Sequence, residues 1–408
     1  MSSPRLNSKQ LTSEQARSAM TILAGLGFAN VCASNIFFPM LPALQEALRL
    51  PAFQLGAWTS IPALISLIFG PLLGRLGDMR GRRSVVFLGL FFFIIGALLS
   101  FFIPALAAFS PYVLIMVGRI LQNLGHAATF PQYLAVASES LPTKARQKAM
   151  GTIESWTSIG GIFGPIIGSL LLPFGLYLPF LATAVIALLA LLVAWRTPFL
   201  PGRVAPHAPA GHSPRPSLRL LTSGWHAFLG GFLVMGLMVA VQTFAGTFAR
   251  DQLAASRLVQ GLMTSVVPAA MAVGSIRVSS HESEHRVRNR TVIVSVAITV
   301  AGTLLWFTSR QVLVALLGLL GMGLGLGTWL PVGDHDISET STDATRGTRL
   351  AILHASKTFG IFVAPAVAGR LIDQFGNYST AFGVLLLVFG ALSIISVVGR
   401  RRDVPAPR

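Results

Sequence analysis

Charge is scarce in this 408-residue chain: Asp, Glu, Lys and Arg together make up 11%, against about 25% in soluble domains. Hydrophobic residues reach 53% and the mean hydropathy is +0.69. A water-soluble globule cannot hide that much apolar surface, so most of it must meet lipid. The single cysteine, Cys32, excludes an intrachain disulfide and leaves the compartment unread. No His-Glu-x-x-His pair and no nucleophile beside a base occur, which removes the groups an intramembrane enzyme needs. No Gly-x-x-x-x-Gly-Lys-Ser/Thr loop occurs either, so direct coupling to ATP is not expected. His281 and His285 flank Glu282 and Glu284 in a basic loop, where a solvated surface is the ordinary reading and a metal site the exceptional one. No cofactor and no nucleic-acid partner are expected.

What is present is a series of apolar runs of membrane-spanning length. They predict helices near Ala19–Leu44, Leu55–Leu73, Ser84–Leu106, Pro111–Leu134, Gly151–Leu172 and Leu176–Trp195. A second set follows near Trp225–Phe248, Leu258–Ile276, Thr291–Phe307, Val312–Pro331, Leu350–Ile372 and Tyr378–Val398. The expected fold is an all-α polytopic membrane protein with twelve helices in two pseudo-symmetric bundles. Its parts are a tail at 1–18, a six-helix bundle at 19–196, a linker at 197–222, a second bundle at 223–398 and a tail at 399–408. The linker is rich in proline and arginine and cannot span lipid. Residues 1–18 carry no short apolar core with a cleavage site, so the first apolar run is expected to stay as a helix.

The net charge of +17 follows topology. With the N-terminus inside, 24 Lys and Arg fall in inner segments and five in outer ones, which places both termini in the cytoplasm by the positive-inside rule. The halves also repeat. Helix five from Ala149 matches helix eleven from Arg349 at an offset of 200, pairing Gly160 with Gly360 and Pro165 with Pro365. Such repeats build transporters whose substrate site lies between the halves.

Three motifs refine this. The loop between helices two and three has Gly74, Asp78, Gly81, Arg82 and Arg83 at G-x-x-x-D-x-x-G-R-R spacing, a tight basic turn in its plainest reading. Helix four carries Arg119, Gln122 and Gly125 as R-x-x-Q-x-x-G; an intramembrane arginine needs a partner or water unless it snorkels to the interface. Helix five reads GGIFGPIIG, with Gly161, Gly164, Pro165 and Gly168 giving a small-residue stripe and a bend. Together, in these helices, the motifs resemble those of the major facilitator superfamily, and the third resembles the antiporter motif of its twelve-helix drug:proton branch. The resemblance implies that Asp78 is a gating residue, that Arg119 lines the central cavity, and that export is the direction of transport. Two departures stand out. Met79 replaces a usual basic residue, which implies a polar latch that is weaker or reassigned to Arg80, and Asn35 stands where an acidic proton carrier is usual.

A proton site must then lie elsewhere. Of fourteen carboxylates, thirteen, Asp334 and Asp336 among them, are read as lying in tails, loops or helix ends, and Glu154 lies inside helix five. Low-dielectric surroundings favour a carboxyl's neutral form, which suits a proton carrier; the plainer alternative pairs Glu154 with Arg146 or Lys148. His126 is a candidate partner, and His354 stands at the position equivalent to Glu154. Lys357, one turn further, is too deep to snorkel easily. Arg119, Gln122, Asn35, Gln242 and Lys357 are candidates for lining a substrate cavity, with Asn30, Asn123 and Gln132 adding hydrogen bonds. A cavity holding Arg119 and Lys357 favours neutral, zwitterionic or anionic compounds. For Phe37, Phe38, Phe130, Trp225 and Phe244, filler against lipid is the plainer reading. The expected activity is proton-driven efflux of small, largely apolar compounds by a monomer in the inner membrane, in contact with lipid and protons. An importer of a sugar or organic anion, or a lipid or glycolipid flippase, is the alternative.

Overall fold

The computed structural model describes residues 13–106, 109–140, 143–197, 224–279 and 285–403. Most of the linker, with much of both tails, His281, Glu282 and Glu284, lies outside them. Among the described residues every regular element is a helix. The first half holds α1 (Ser13–Asn35), a short α2 (Leu41–Leu48), α3 (Ala52–Arg80), α4 (Arg82–Phe101), α5 (Pro111–Ser140), α6 (Thr143–Leu171) and α7 (Leu178–Arg196). The second holds α8 (Trp225–Leu253), α9 (Arg257–Ser279), α10 (His285–Thr308), α11 (Val312–Glu339), α12 (Asp343–Phe375) and α13 (Tyr378–Asp403). Leaving α2 aside, six long helices stand in each half, as the apolar runs predict. Eleven candidate spans are long and apolar enough to cross a membrane. The long helix left out is α5, because Arg119, Gln122, Asn123, His126 and Gln132 dilute its hydropathy.

Glycine decides how closely the helices approach. Gly160, Gly164 and Gly168 recur every four residues along one face of α6, and each abuts a backbone carbonyl of α1 or of the residue just after it, at Phe28, Cys32 and Ile36 in turn. Gly161 makes only an ordinary contact with Val31. The repeat preserves this arrangement: Gly360 of α12 packs on the backbone of Phe232 in α8. Pro165 and Pro365 both lie within their helices.

The halves meet at the end away from the termini. Asp373 accepts the backbone N–H groups of Ala52 and Phe53, both at 2.8 Å, which also caps the start of α3. Arg250 donates to Pro42 O at 2.5 Å and to Gln45 Oε1 at 2.9 Å. Ser60 Oγ accepts from the Ala366 N–H at 3.1 Å, and Thr243 donates to Thr59 at 3.3 Å. Gly56 lies directly on the Pro365 backbone, and Gly369 on that of Ala52. This end is therefore sealed backbone to backbone.

A side chain at Gly56 has no room in the seal. In a chain with Cys32 replaced by Ala, Gly56→Val is expected to raise the rate at which a Thr59→Cys thiol reacts with an impermeant maleimide by about tenfold, a shift of about 1.4 kcal/mol in the opening equilibrium. Unchanged labelling would show that α3 and α12 re-close around the valine.

Several helices outrun their predicted ends. Helix α11 continues past Pro331 to Glu339 and α13 past Val398 to Asp403. Asp334 and Asp336, outside the predicted span, therefore belong to the last turns of α11. Phe37, Phe38 and Phe244 are buried in the core, correcting the expectation that they face lipid, whereas Phe130 and Trp225 are half-buried.

Candidate functional site

Polar side chains on α5 share one stripe, since Arg119 and His126 are seven residues, or two turns, apart. Arg119 is buried at 7% exposure. Its Nη1 donates to Gln122 Oε1 at 2.8 Å, and its guanidinium lies 3.5 Å from the centre of the Phe37 ring. This is not an interfacial arginine. The Phe37 ring in turn packs edge-on against Trp58 of α3 at 6.0 Å and stacks on Phe38 at 4.3 Å. Trp58 has no motif around it in an apolar run, and nothing in the sequence singles it out.

One turn beyond Gln122, His126 is tied to α1. Its Nδ1 is bonded to Asn30 Oδ1 and lies 3.4 Å from Ser34 Oγ, while its ring stacks on Phe130. Asn30 also donates to Thr129 Oγ1 at 2.5 Å. His126 is thus held at the α1–α5 interface, its Nδ1 engaged by Asn30 and Ser34, with His354 and Arg119 in electrostatic range.

Two other candidates fall away from the stripe. Asn35 donates to Val31 O at 2.8 Å, within its own helix, and its Cβ lies beside Gly164. Gln242 donates to Thr264 O at 3.2 Å, which spends its amide on joining α8 to α9 inside the second half. Sequence spacing cannot reveal this, because a buried amide reads alike whether it faces a cavity or a neighbouring backbone.

The acidic side of the site spans the two halves. Lys357 Nζ donates to Asp334 Oδ1 at 2.6 Å, joining α12 to α11. Glu154, on α6 of the first half, is exposed and lies within electrostatic range of both Lys357 and Asp334. His354 is exposed beside the same pair. The side chains of Arg146 and Lys148, offered as alternative partners for Glu154, lie outside those described. Two carboxylates sharing one ammonium can exchange it, and a proton on either decides which holds it. Asp334 is the residue that sequence reasoning missed, because the hydropathy window closes at Pro331 and discards the last two turns of α11.

The basic loop keeps to its own half in this state. Asp78 pairs with Arg82 at 2.5 Å, Arg82 donates to Gln132 Oε1 at 3.0 Å, and Arg83 donates to Trp195 O at 2.8 Å. Gly81 has φ +94°, a conformation costly for other residues, and separates α3 from α4. Gly74 has open space around it.

His335, Asp336 and Glu339 have donor atoms within 4.8 Å of one another, the spacing a metal site needs. Arginines already engage all three: Arg400 takes both oxygens of Asp336, and Arg288 reaches Glu339 and His335. The cluster is an ion-pair network.

Comparison with known proteins agrees with this architecture. A sequence model of the Major Facilitator Superfamily matches residues 23–332 and 247–408. The bacillibactin exporter of Bacillus subtilis (strain 168) is 21% identical over 374 residues, covering 89% of this chain and 90% of that one. Multidrug resistance protein 2 of the same organism is 28% identical over 182 residues, and the match spans 45% of this chain and only 44% of that one. A crystal structure of a nucleoside transporter superposes with a TM-score of 0.75 at 15% identity, covering 95% of this chain and 100% of that one; at that identity the likeness concerns the fold.

Proposed function

The chain belongs to the major facilitator superfamily of membrane transporters, and from that premise we propose that it exports small, largely apolar compounds in exchange for protons. The observation that carries the proposal is the placement of Glu154, a carboxylate of one half, opposite the Asp334–Lys357 pair of the other. Export is further supported by the close α1–α6 packing through Gly160, Gly164 and Gly168 and by the likeness to exporters.

In this reading the protein sits in the cell (inner) membrane as a monomer with both termini in the cytoplasm, and the sealed end faces outward. The halves rock about a midplane site. With the outer end closed, Lys357 rests on Asp334. Closing the inner end brings α6 towards α12 and offers Lys357 a second carboxylate. Protonating Glu154 removes that competition, and releasing its proton restores it, so proton occupancy biases which end is closed. Asp78, freed from Arg82, is the group positioned to lock the inner end, with Gly81 giving the turn its freedom.

The test is accumulation of a panel of fluorescent and radiolabelled drugs in expressing cells, with and without a protonophore. Lower accumulation that the protonophore abolishes is the expected result. Raised accumulation of any compound would replace export with uptake of a sugar or organic anion.

A further inference from the structure

We propose that Arg119, Gln122 and Trp58 form an anion subsite for the transported compound, whose preferred substrates carry a carboxylate or similar oxyanion on an aromatic or apolar body. The proposal rests on the transport reading above and names its substrate class. Three buried nitrogens have no hydrogen-bond partner, Arg119 Nε, Gln122 Nε2 and Trp58 Nε1; Arg119 lies over the Phe37 ring, Trp58 packs against its edge, and Gln122 is bonded to Arg119. All three are donors. Their residues are 7%, 1% and 1% exposed, and Gln122 has already given its only acceptor, Oε1, to Arg119. A buried donor left unmet costs about 1–3 kcal/mol, and a guanidinium cannot escape by losing its proton.

No protein carboxylate relieves Arg119 among the described residues. Asp334 serves Lys357, Asp336 serves Arg400, Asp373 caps α3 and Asp251 serves Arg250. Phe37 compensates in part, since a desolvated cation on a ring face gains about 2 kcal/mol. An oxyanion would answer the charge and the unmet donors together, through charge-assisted hydrogen bonds. The stacked Phe37–Phe38 pair and the Trp58 ring supply aromatic walls for the body of the same molecule. An arginine that served only structure would be expected to hold an acceptor in place. Here the one acceptor Arg119 holds is a neutral amide, its Nε has none, and unmet donors on α3 and α5 flank the same Phe37.

The test is calorimetric binding to the full-length protein in lipid nanodiscs, using nalidixic acid, ibuprofen and fluorescein, each beside its methyl ester. At least one acid is expected to bind about tenfold more tightly than its ester, a difference of about 1.4 kcal/mol. Arg119→Gln is expected to bring that ratio to about one with ester affinity unchanged, and Trp58→Phe to weaken only the acid, by about fivefold, as the loss of one hydrogen bond would. Acids and esters that bind alike, or a preference that survives Arg119→Gln, would overturn the subsite. If Arg119→Gln fails to fold, an unchanged acid-to-ester ratio in Trp58→Phe overturns it. Binding needs no gradient and no direction. An Arg119-dependent preference in a protein that shows no protonophore-sensitive efflux would therefore sink the exporter reading and leave the subsite standing.

Discussion

Glu154→Gln is expected to abolish gradient-driven efflux, by about a hundredfold or more, equivalent to at least about 2.7 kcal/mol, while leaving substrate binding within about threefold of wild type. Gln has the shape of the protonated carboxyl but cannot lose a proton. The substituted protein therefore keeps its packing on α6 and its place opposite Lys357, yet Lys357 never gains a second carboxylate to exchange with. Everted membrane vesicles, in which export appears as uptake of a fluorescent substrate from the medium, report the loss directly. Downhill exchange of labelled for unlabelled substrate, which needs no proton, is expected to persist and separates this outcome from misfolding. Protonophore-sensitive efflux that survives Glu154→Gln would transfer the proton to Asp334, and the same vesicles with Asp334→Asn would then show the collapse instead.

That second carboxylate marks how far the sequence could be read. Twelve helices, the repeat and the buried arginine were legible, because each depends on hydropathy, spacing or the cost of charge in lipid. Which polar groups meet was not. Asn35 and Gln242 look like cavity residues by type and depth, and both are spent on helix backbones. Asp334 reads as one of the carboxylates in tails, loops or helix ends, and it holds the intramembrane lysine. Trp58 belongs to no motif, and it packs against Phe37 with its own ring N–H unmet. In each case the deciding quantity is the rotation of one helix about its axis relative to another. A periodicity fixes which residues share a face but not which neighbour that face meets. The glycine stripe of α6 was legible as a close-packing face, but its edge was not: Gly160, rather than Gly161, completes the row that touches α1.

Arg400→Met is expected to destabilise the protein by about 3–5 kcal/mol, the cost of leaving one charge of a buried pair alone. Arg400 lies in a basic run at the end of α13 that reads as an ordinary cytoplasmic tail. The structure folds it inward: Nε and Nη2 reach Asp336 at 2.6 and 3.0 Å, and Nη1 reaches Asn289 at 2.7 Å, so one guanidinium joins α10, α11 and α13. Both side chains are nearly sealed from solvent, at 4% and 3% exposure, and bulk water cannot rescue whichever charge is left behind. The apparent melting temperature in detergent is expected to fall by about 6 °C or more. The double variant Asp336→Leu with Arg400→Met is expected to recover most of the loss, since an apolar replacement of a buried pair is often near neutral. Glu339→Gln serves as the control within the same network. Its carboxylate is 53% exposed, and removing its charge from Arg288 is expected to cost less than about 1 kcal/mol. A melting temperature unmoved by Arg400→Met would show that water reaches Asp336 and that α13 is not clamped to α11 by this pair.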